Sequence, residues 1–511
     1  MADDKVSGEK KDAAEDPIES AIGAFGKWQL CISVALALIK VPIAWHQLEI
    51  VLLAPPANFS CVSYNDSADD QCSANGTKCT EWEYDRSVFR ETIITEWDLV
   101  CDRAQLANVA QTIFMFGVLL GSALFGMAAD KFGRKIPLMI SVILQAATGI
   151  ATAYVPVFTG FLALRFFDAL ATGGQMVVSF VICMEMIGQK WRTLVSVLYH
   201  LPFNIGHSIL PVVSYFLRDW REFQLAISAP SILMLLYWWV IPESPRWLLT
   251  VGRRAEALAV LEKGARINKL PKPALPDEKM GNSKPDKEEG GNEKKAVVFD
   301  LFRTPNLRTR TLCIYFNWLA AGLCFFGLAQ YMGQIGGNIF LNVAISGLIE
   351  LPGALTCTFL MERYGRRLTV MGSNLLSGVA CLLIMAVPEG GSHWPRVVLA
   401  ALGMVGTSVS FPTIYLYSGE IFPTVVRNVG IGTSSMCARI GSMIAPFVTS
   451  LAIWSKFLPP LTFGVIPLIG ALLTLLLPET ARTVLPNTIE EGENFGKPSL
   501  QGTLNKSFDG D

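Results

Sequence analysis

The sequence Asp130-Lys131-Phe132-Gly133-Arg134-Lys135 lies between two long apolar segments, and Glu362-Arg363-Tyr364-Gly365-Arg366-Arg367 lies between two others. The two stretches are 232 residues apart and share an acidic residue, a glycine and two basic residues in the same order. The glycine allows a tight turn, and the opposite charges suit the ends of helices. This repetition indicates that the chain consists of two related halves.

Two further signatures recur at offsets of 235 and 236 residues. They are Glu185-…-Arg192 with Glu420-…-Arg427, and Pro242-Glu243-Ser244-Pro245-Arg246 with Pro478-Glu479-Thr480-Ala481-Arg482. A long repeat with a fixed order of parts favours two homologous halves over a solenoid. Because apolar stretches flank the signatures, each half is predicted to be a bundle of membrane helices.

The composition agrees with a membrane protein. Of 511 residues, 51% are hydrophobic and only 17% are charged, whereas a soluble chain carries about 25% charged residues. The net charge of −1 argues against a nucleic-acid partner. We predict an all-α membrane protein with twelve transmembrane helices in two six-helix halves. The predicted helices are 28–53, 105–129, 136–156, 158–184, 194–217, 221–241, 311–332, 338–361, 368–388, 395–417, 429–453 and 458–477.

Basic residues in the short loops orient the predicted bundle. Nine lie on one side, namely Lys131, Arg134, Lys135, Lys190, Arg192, Arg363, Arg366, Arg367 and Arg427. Four lie on the other side, namely Arg218, Arg221, Arg396 and Lys456. The richer side is expected to be cytoplasmic. The predicted organisation is a cytoplasmic tail 1–27, a first half 28–241 with an exoplasmic loop 54–103, a cytoplasmic loop 242–310, a second half 311–477 and a cytoplasmic tail 478–511.

The two long loops differ in chemistry. The exoplasmic loop holds Cys61, Cys72, Cys79 and Cys101, which predict two disulfides with three pairings open, and glycosylation sequons at Asn58, Asn65 and Asn75. In the cytoplasmic loop, residues 252–269 have helical spacing, with Leu258, Leu261 and Ala265 on one stripe. Residues 276–295 are highly polar and are predicted to be a disordered tether.

The repeated charges are candidates for gates. We expect ion pairs that close the cytoplasmic side in one state and break in the other. The gating set is Asp130, Arg134, Glu185, Arg192, Glu243, Arg246, Glu362, Arg366, Glu420, Arg427 and Glu479. The alternative is that these residues only orient the helix ends during insertion.

Several of these patterns resemble known families. Gly126-x3-Asp130-x2-Gly133-Arg134-Lys135, with a second copy at Glu362-x2-Gly365-Arg366-Arg367, resembles the signature of the major facilitator superfamily. Three features resemble its organic ion transporters, solute carrier family 22. They are the long first exoplasmic loop, its ending Thr95-Glu96-Trp97-Asp98-Leu99-Val100-Cys101, and Phe422-Pro423-Thr424-Val425-Val426-Arg427-Asn428-x-Gly430. Residues 41–48 look most like insect organic cation transporter-like members. The resemblance implies alternating-access transport across the plasma membrane.

Ionisable residues deep inside predicted helices are the main candidates for substrate binding. Glu350 precedes Pro352-Gly353, where the resembled family similarly has an acidic residue; it is expected to neutralise a substrate cation or a neighbouring basic residue. Arg439 falls where the family's cation transporters have an aspartate and its anion and carnitine transporters have a basic residue. A guanidinium favours a carboxylate, so a zwitterion or an anion is at least as plausible as a cation. The alternative pairs Arg439 with Glu350, away from the substrate.

The remaining candidates are weaker. Lys40 is placed near Arg439 in depth, and His46 is either a proton-linked switch or a hydrogen-bonded packing residue. His200 and His207 share a helix face without an evident acidic partner, so no metal site is predicted. Phe325 is the aromatic candidate for contact with an organic ion. Arg165 and Asp168, one turn apart, are expected to brace their own helix. The predicted substrate-binding set is Lys40, His46, His200, Phe325, Glu350 and Arg439.

The sequence has no phosphate-binding loop, nucleotide fingerprint or metal-ligand spacing, so neither an enzyme nor a cofactor is predicted. The expected partners are a small organic ion and the lipid bilayer. Two other functions were considered. A sugar porter is disfavoured by the buried charges. A non-transporting receptor that uses the disulfide-bonded loop would bind a ligand without accumulating it.

Overall fold

The computed structural model describes residues 17–62, 72–74, 77–273, 298–388, 391–481, 483 and 485–495. Within these residues, ten helices are long and apolar enough to cross a membrane. We number the membrane helices as spans in chain order. They are span 1 (Lys27–Leu53), span 2 (Cys101–Phe132), span 3 (Lys135–Thr152), span 4 (Phe158–Glu185), span 6 (Trp220–Val240), span 7 (Pro305–Met332), span 8 (Ile339–Tyr364), span 9 (Arg366–Ile384), span 10 (Trp394–Ile421) and span 11 (Arg427–Ile453).

Two further helical segments complete the two sets of six. Span 12 (Leu458–Thr474) is shorter than the others. Span 5 consists of two helices, Gln189–Leu198 and Leu201–Phe216. The sequence predicted one unbroken helix here, which is wrong, because Pro202 has no N–H with which to continue the ladder to Leu198. Span 1 also has short interruptions, at Ile39 and Glu49.

Each half has the same internal packing. Span 2 packs on span 4 in the first half as span 8 packs on span 10 in the second, and span 1 packs on span 5 as span 7 packs on span 11. Glycines allow these close approaches, since a Cβ at Gly173 would meet the Val118 carbonyl and a Cβ at Gly322 would meet the Ala438 carbonyl. The halves meet through spans 2 and 11 and through spans 5 and 8. The largest buried apolar cluster contains residues of both halves.

One end of the bundle, which we call the disulfide end, carries residues 54–103. Here β1 (Phe59–Cys61) pairs antiparallel with β4 (Trp82–Tyr84), and β2 (Ser73–Ala74) pairs with β3 (Thr77–Lys78). The structure selects one of the three disulfide pairings, Cys61–Cys79 with Cys72–Cys101. Asn58 is exposed beside β1, whereas the sequons at Asn65 and Asn75 lie outside the described residues.

Two polar contacts fix this segment to the bundle. Helix Ile93–Trp97 carries Glu96, which accepts a hydrogen bond from Trp220 Nε1 at 2.6 Å and pairs with Arg221. Tyr84 Oη donates to Asp98 Oδ1 at 2.9 Å. Burial, together with this bond, raises the pKa of the Tyr84 phenol. The segment is therefore held against the start of span 6.

The opposite end, which we call the motif end, carries the turns at Gly133 and Gly365 and five short helical elements. These are Pro17–Ile22, Pro245–Thr250, Arg254–Asn268, the 3-10 turn Val298–Phe302 and Ile489–Asn494. Arg254–Asn268 packs on Pro17–Ile22 and on the start of span 1. Its buried stripe includes Leu261 and Ala265, but Leu258 is only partly buried. The tether predicted at 276–295 lies outside the described residues.

Candidate functional site

At the motif end of the first half, Arg134 holds three helices together. Its Nη2 lies 3.0 Å from Glu185 Oε1 at the end of span 4, and its Nη1 lies 2.8 Å from Asp130 Oδ1 in span 2. Its backbone N–H donates to Glu243 Oε1, which follows span 6, at 2.8 Å. Gly133 precedes it with φ +97°, and a Cβ there would meet the Glu243 carboxylate. Glycine is therefore required for this turn.

The second half repeats the arrangement. Arg366 Nη2 lies 3.0 Å from Glu420 Oε1, and the Arg366 N–H donates to Glu479 Oε1 at 2.9 Å. Gly365 has φ +85°, and a Cβ there would meet the Glu479 carboxylate. Glu362 departs from the pattern: it is exposed, and Arg366 Nη1 bonds the Met361 carbonyl.

The other three gating candidates bond to backbone carbonyls. Arg246 Nε donates to the Glu185 carbonyl at 3.1 Å, and Arg192 and Arg427 cap the carbonyls of Ile187 and Phe422. Each ion pair described above joins helices of the same half. The network therefore ties span ends together within each half, and the predicted gating role stays a prediction.

The two halves face each other around two basic side chains. Lys40 in span 1 is 2% exposed, and its Nζ lies 5.0 Å from the centroid of the Tyr199 ring. Arg439 in span 11 is partly buried, and its Nη2 lies 3.8 Å from Met176 Sδ across the boundary between the halves. Within the described part of the chain, neither basic side chain has a carboxylate at ion-pair distance.

Glu350 is not available to Arg439. Its Oε1 lies 3.0 Å from His207 Nδ1, and both residues are 1% exposed. The other ring nitrogen of His207 lies 3.2 Å from Ser346 Oγ. This contact joins span 5 to span 8, so it crosses the boundary between the halves. Both the suggested pair of Glu350 with Arg439 and the expectation that His207 has no acidic partner are therefore wrong.

Two more candidates line the same boundary. His200 is exposed at the break in span 5, and its Nδ1 lies 2.8 Å from the Ser196 carbonyl oxygen. Phe325 of span 7 is partly buried, and its ring centroid lies 6.3 Å from that of Phe203 in span 5. Both can contact a molecule that enters between the halves.

The boundary is closed toward the disulfide end. Thr112 Oγ1 of span 2 donates to the Met443 carbonyl of span 11 at 3.0 Å. The ring of Phe340, at the start of span 8, packs on Phe89 and Tyr215 of the first half. A groove at the motif end is lined by Phe180, Val181, Met184, Glu185, Arg192 and Arg246, all of the first half.

His46 belongs to a separate buried cluster in the first half. Its Nδ1 lies 3.1 Å from Asp168 Oδ2 and 3.5 Å from Glu49 Oε2, and Arg165 pairs with Glu49. The prediction that Arg165 and Asp168 brace their own helix is wrong, because both reach from span 4 to span 1. Glu49 was not among the predicted site residues. Its carboxylate inside an apolar stretch, three residues after His46, was the available signal.

The acidic atoms of this cluster do not form an evident metal site. His46, Glu49 and Asp168 offer ligand atoms within 4.8 Å of one another. The Arg165 guanidinium, however, already contacts Glu49, and a divalent ion there would lie beside a fixed positive charge.

Comparisons with known proteins match this architecture. The family described as "Sugar (and other) transporter" matches residues 58–485. The "Organic cation transporter protein" of Drosophila melanogaster is 37% identical, over 96% of each chain. "Solute carrier family 22 member 3" of Rattus norvegicus is also 37% identical, over 82% of this chain and 75% of its own. The chain belongs to solute carrier family 22.

Solved structures support the fold. The inward-open xylose transporter XylE from E. coli has a TM-score of 0.62 at 16% identity, covering 92% of this chain and 99% of its own. This similarity shows the major facilitator fold alone. The predicted all-α bundle of two six-helix halves is confirmed, and so is the family. This solute carrier family 22 member is thus a multi-pass membrane transporter of organic ions and not an enzyme.

Proposed function

We propose that this transporter carries small organic ions that bear a carboxylate, either anions or zwitterions, between the two halves of the bundle. The observation that carries the proposal is the pair of unneutralised cations, Lys40 and Arg439, at the boundary. A buried charge without a partner is unfavourable, and a substrate carboxylate supplies the missing charge. The guanidinium of Arg439 offers two parallel N–H donors, which match a carboxylate.

Other groups at the boundary suit the organic part of such a substrate. Phe325 and Tyr199 offer aromatic surface, and the His200 ring offers hydrogen-bonding nitrogens. Glu350 serves as part of the contact with His207 rather than as a site for substrate. We place the transporter in the plasma membrane with both termini in the cytoplasm, so the motif end faces the cytoplasm. Alternating access then follows from rocking of the halves.

A simple organic cation is the second candidate. The names of two Drosophila melanogaster relatives, "Organic cation transporter protein" and "Organic cation transporter-like protein", favour it. The two central cations disfavour it, because a third positive charge would be repelled. The two candidates differ in the expected effect of Arg439, which helps to bind a carboxylate but hinders a cation.

Competition uptake separates these candidates. Wild type and Arg439→Gln are expressed in cells and tested with tetraethylammonium, carnitine and aromatic monocarboxylates. We expect carboxylates to compete in wild type. In Arg439→Gln their half-inhibitory concentrations should rise about tenfold or more, which corresponds to a lost charge-assisted hydrogen bond.

The matched control is Arg308→Gln. Arg308 is exposed at the start of span 7 and far from Lys40 in depth, so its loss should leave the competition profile unchanged at equal surface abundance. If only tetraethylammonium competes in wild type, the carboxylate proposal is wrong and the cation candidate is favoured. Binding of a ligand without accumulation of any probe would favour the receptor alternative.

A further inference from the structure

The His46 cluster carries an unbalanced charge in the interior of the first half. It contains His46 and Glu49 of span 1 with Arg165 and Asp168 of span 4, and none of the four side chains is more than 2% exposed. Two carboxylates face one guanidinium, so the cluster is one negative charge in excess while His46 is neutral. One added proton on His46 brings the sum to zero.

The hydrogen-bonding pattern around His46 also favours one added proton. Both ring nitrogens of His46 and all four carboxylate oxygens of the cluster lack a hydrogen bond of good geometry. Nδ1 alone of the two ring nitrogens lies at ion-pair distance from the carboxylates, at 3.1 Å from Asp168 Oδ2 and 3.5 Å from Glu49 Oε2. Buried polar atoms without partners are rare in folded proteins. Protonated imidazole has two N–H donors, and its Nδ1 already lies between Asp168 and Glu49.

The elements around His46 bring no other charge that could replace this proton. Within the helical segment Lys40–Leu48 the other ionisable group is Lys40, which contacts Tyr199, and Lys27 lies at the far start of span 1. Span 5 contributes His207, which bonds to Glu350. The near groups of spans 3 and 6 are Gly149 and Ser228, which are uncharged. Span 2 contributes the amide of Gln111, whose oxygen accepts a bond from Arg165 Nη2 at 3.3 Å.

A chain of contacts links the cluster to the proposed substrate site. Gln111 Nε2 donates to the Gln47 carbonyl at 3.2 Å, and Gln47 Nε2 contacts Met176 Sδ at 2.9 Å. Arg439 Nη2 reaches the same sulfur from the second half at 3.8 Å. Spans 1 and 4 carry the cluster and also carry Lys40 and Met176. A charge change at His46 can therefore shift the helices that position the central cations.

We propose that His46 binds one proton per cycle and that this proton accompanies the organic ion as a coupling ion. The proton is taken from water on the disulfide end, is held on the imidazole between Glu49 and Asp168, and is released to water at the motif end. No bond to the substrate forms. Ionisable groups inside membrane helices commonly serve as proton relays. This inference rests on the proposed function, and it names the proton gradient as the driving force for uptake of the organic ion.

The test uses the purified full-length chain in proteoliposomes with labelled carnitine, benzenesulfonyl-glycine and tetraethylammonium as probes. Uptake is measured with and without an inward proton gradient, and a trapped pH dye reports proton entry. In wild type we expect the gradient to stimulate carboxylate uptake about fivefold or more and the probe to trigger proton entry. In His46→Gln both responses should disappear in protein that elutes like wild type.

Two further variants protect the test against misfolding. Asp168→Asn removes the excess negative charge of the cluster and leaves the His46 side chain unchanged. It should also abolish the stimulation of uptake by the proton gradient. His393→Gln changes an exposed histidine at the disulfide end and should leave the response intact. A variant that elutes as aggregate is replaced by His46→Asn, for which the same loss is expected.

Each of the other outcomes rejects the proton site, the choice of coupling ion or the substrate proposal. If carboxylates accumulate equally with and without the gradient, or if His46→Gln keeps its response, the proton site is wrong and the substrate proposal stands. If a sodium gradient at equal pH drives uptake instead, the coupling ion is not the proton. If only tetraethylammonium accumulates, the substrate proposal fails. The proton site is then tested by the effect of the proton gradient on tetraethylammonium uptake. If no probe accumulates, both are rejected.

Discussion

The motif end and the centre of the membrane use charge in different ways. At the motif end both halves contain the same arginine–glutamate pair, and the Nη2–Oε1 distance is 3.0 Å in each. At the centre the charges are unequal: the first half holds the His46 cluster and Lys40, while the second holds Arg439 and Glu350. The duplicated groups therefore maintain each half as a unit, and we propose that the groups without a counterpart select the substrate and the coupling ion.

The neutral interiors of the halves sharpen this contrast. In the first half, Gln175 Nε2 donates to Gln145 Oε1 at 3.0 Å. In the second, Asn374 Nδ2 donates to Asn317 Oδ1 at 2.8 Å. Both halves thus tie their helices together with buried amides, which need no counterion. The additional charges of the first half are not needed for packing of this kind, because the second half packs without them.

The largest effect is expected from Arg165→Met. It leaves Glu49 and Asp168 buried without their cation, and removal of one partner from a buried ion pair costs about 3–5 kcal/mol. Arg134→Met at the motif end should cost about 1 kcal/mol, since Asp130 is 79% exposed and hydrates when released. Thermal melting of the detergent-solubilised protein measures both, and Arg165→Lys is the control that keeps the charge.

A smaller effect is expected from Glu350→Gln. Glutamine keeps a hydrogen-bonding partner for His207 but removes the negative charge between spans 5 and 8, so the balance between inward and outward states should shift. We expect the uptake rate to change about two- to fivefold with the KM for carboxylates unchanged. A selective loss of cation uptake would show instead that Glu350 binds substrate.

The duplicated pairs predict equal responses in the two halves. Glu185→Gln and Glu420→Gln each weaken one arginine contact of the same geometry, so each should lower the uptake rate by a similar factor, about two- to fivefold. Neither should alter the preference between carboxylate and cation. Accessibility of the boundary between the halves to a thiol reagent, measured in both variants, tests the gating prediction. Unchanged transport and unchanged accessibility would favour the alternative, a role in insertion alone.

The smallest effect is expected at the disulfide end. The double variant Cys61→Ser/Cys79→Ser opens a loop that closes over 18 residues, and a disulfide of this loop length contributes about 3 kcal/mol to local stability. The segment remains attached to span 6 through Glu96. Uptake at equal surface abundance should therefore change less than about twofold. A changed substrate preference would show that this segment takes part in selection.

The sequence predicted the fold because repeated signatures and long apolar stretches depend on local chemistry. The turns at Gly133 and Gly365 and the pairs of Arg134 and Arg366 repeat at a fixed offset, and the helix lengths follow from bilayer thickness. The break in span 5 was missed because an apolar pattern continues through Pro202. The disulfide pairing was left open because spacing alone does not place cysteines next to each other.

The central site was less predictable, because its contacts join residues far apart in the chain. The alternative that paired Glu350 with Arg439 is wrong, since the depth of a residue within a helix does not give its direction around the helix. Glu49 was not considered, and its contact with Arg165 depends on how span 1 lies against span 4. Arg439 and Lys40 were identified correctly as deep charges, but their lack of carboxylate partners is visible only in three dimensions.

The most direct test of the central claim is charge reversal at Arg439. The ratio of labelled carboxylate uptake to tetraethylammonium uptake is measured for wild type and Arg439→Asp at equal surface abundance. The account predicts a ratio above one in wild type and a fall of about a hundredfold in the variant, since an attractive charge becomes repulsive. An unchanged ratio would show that Arg439 does not select the substrate and would contradict the account.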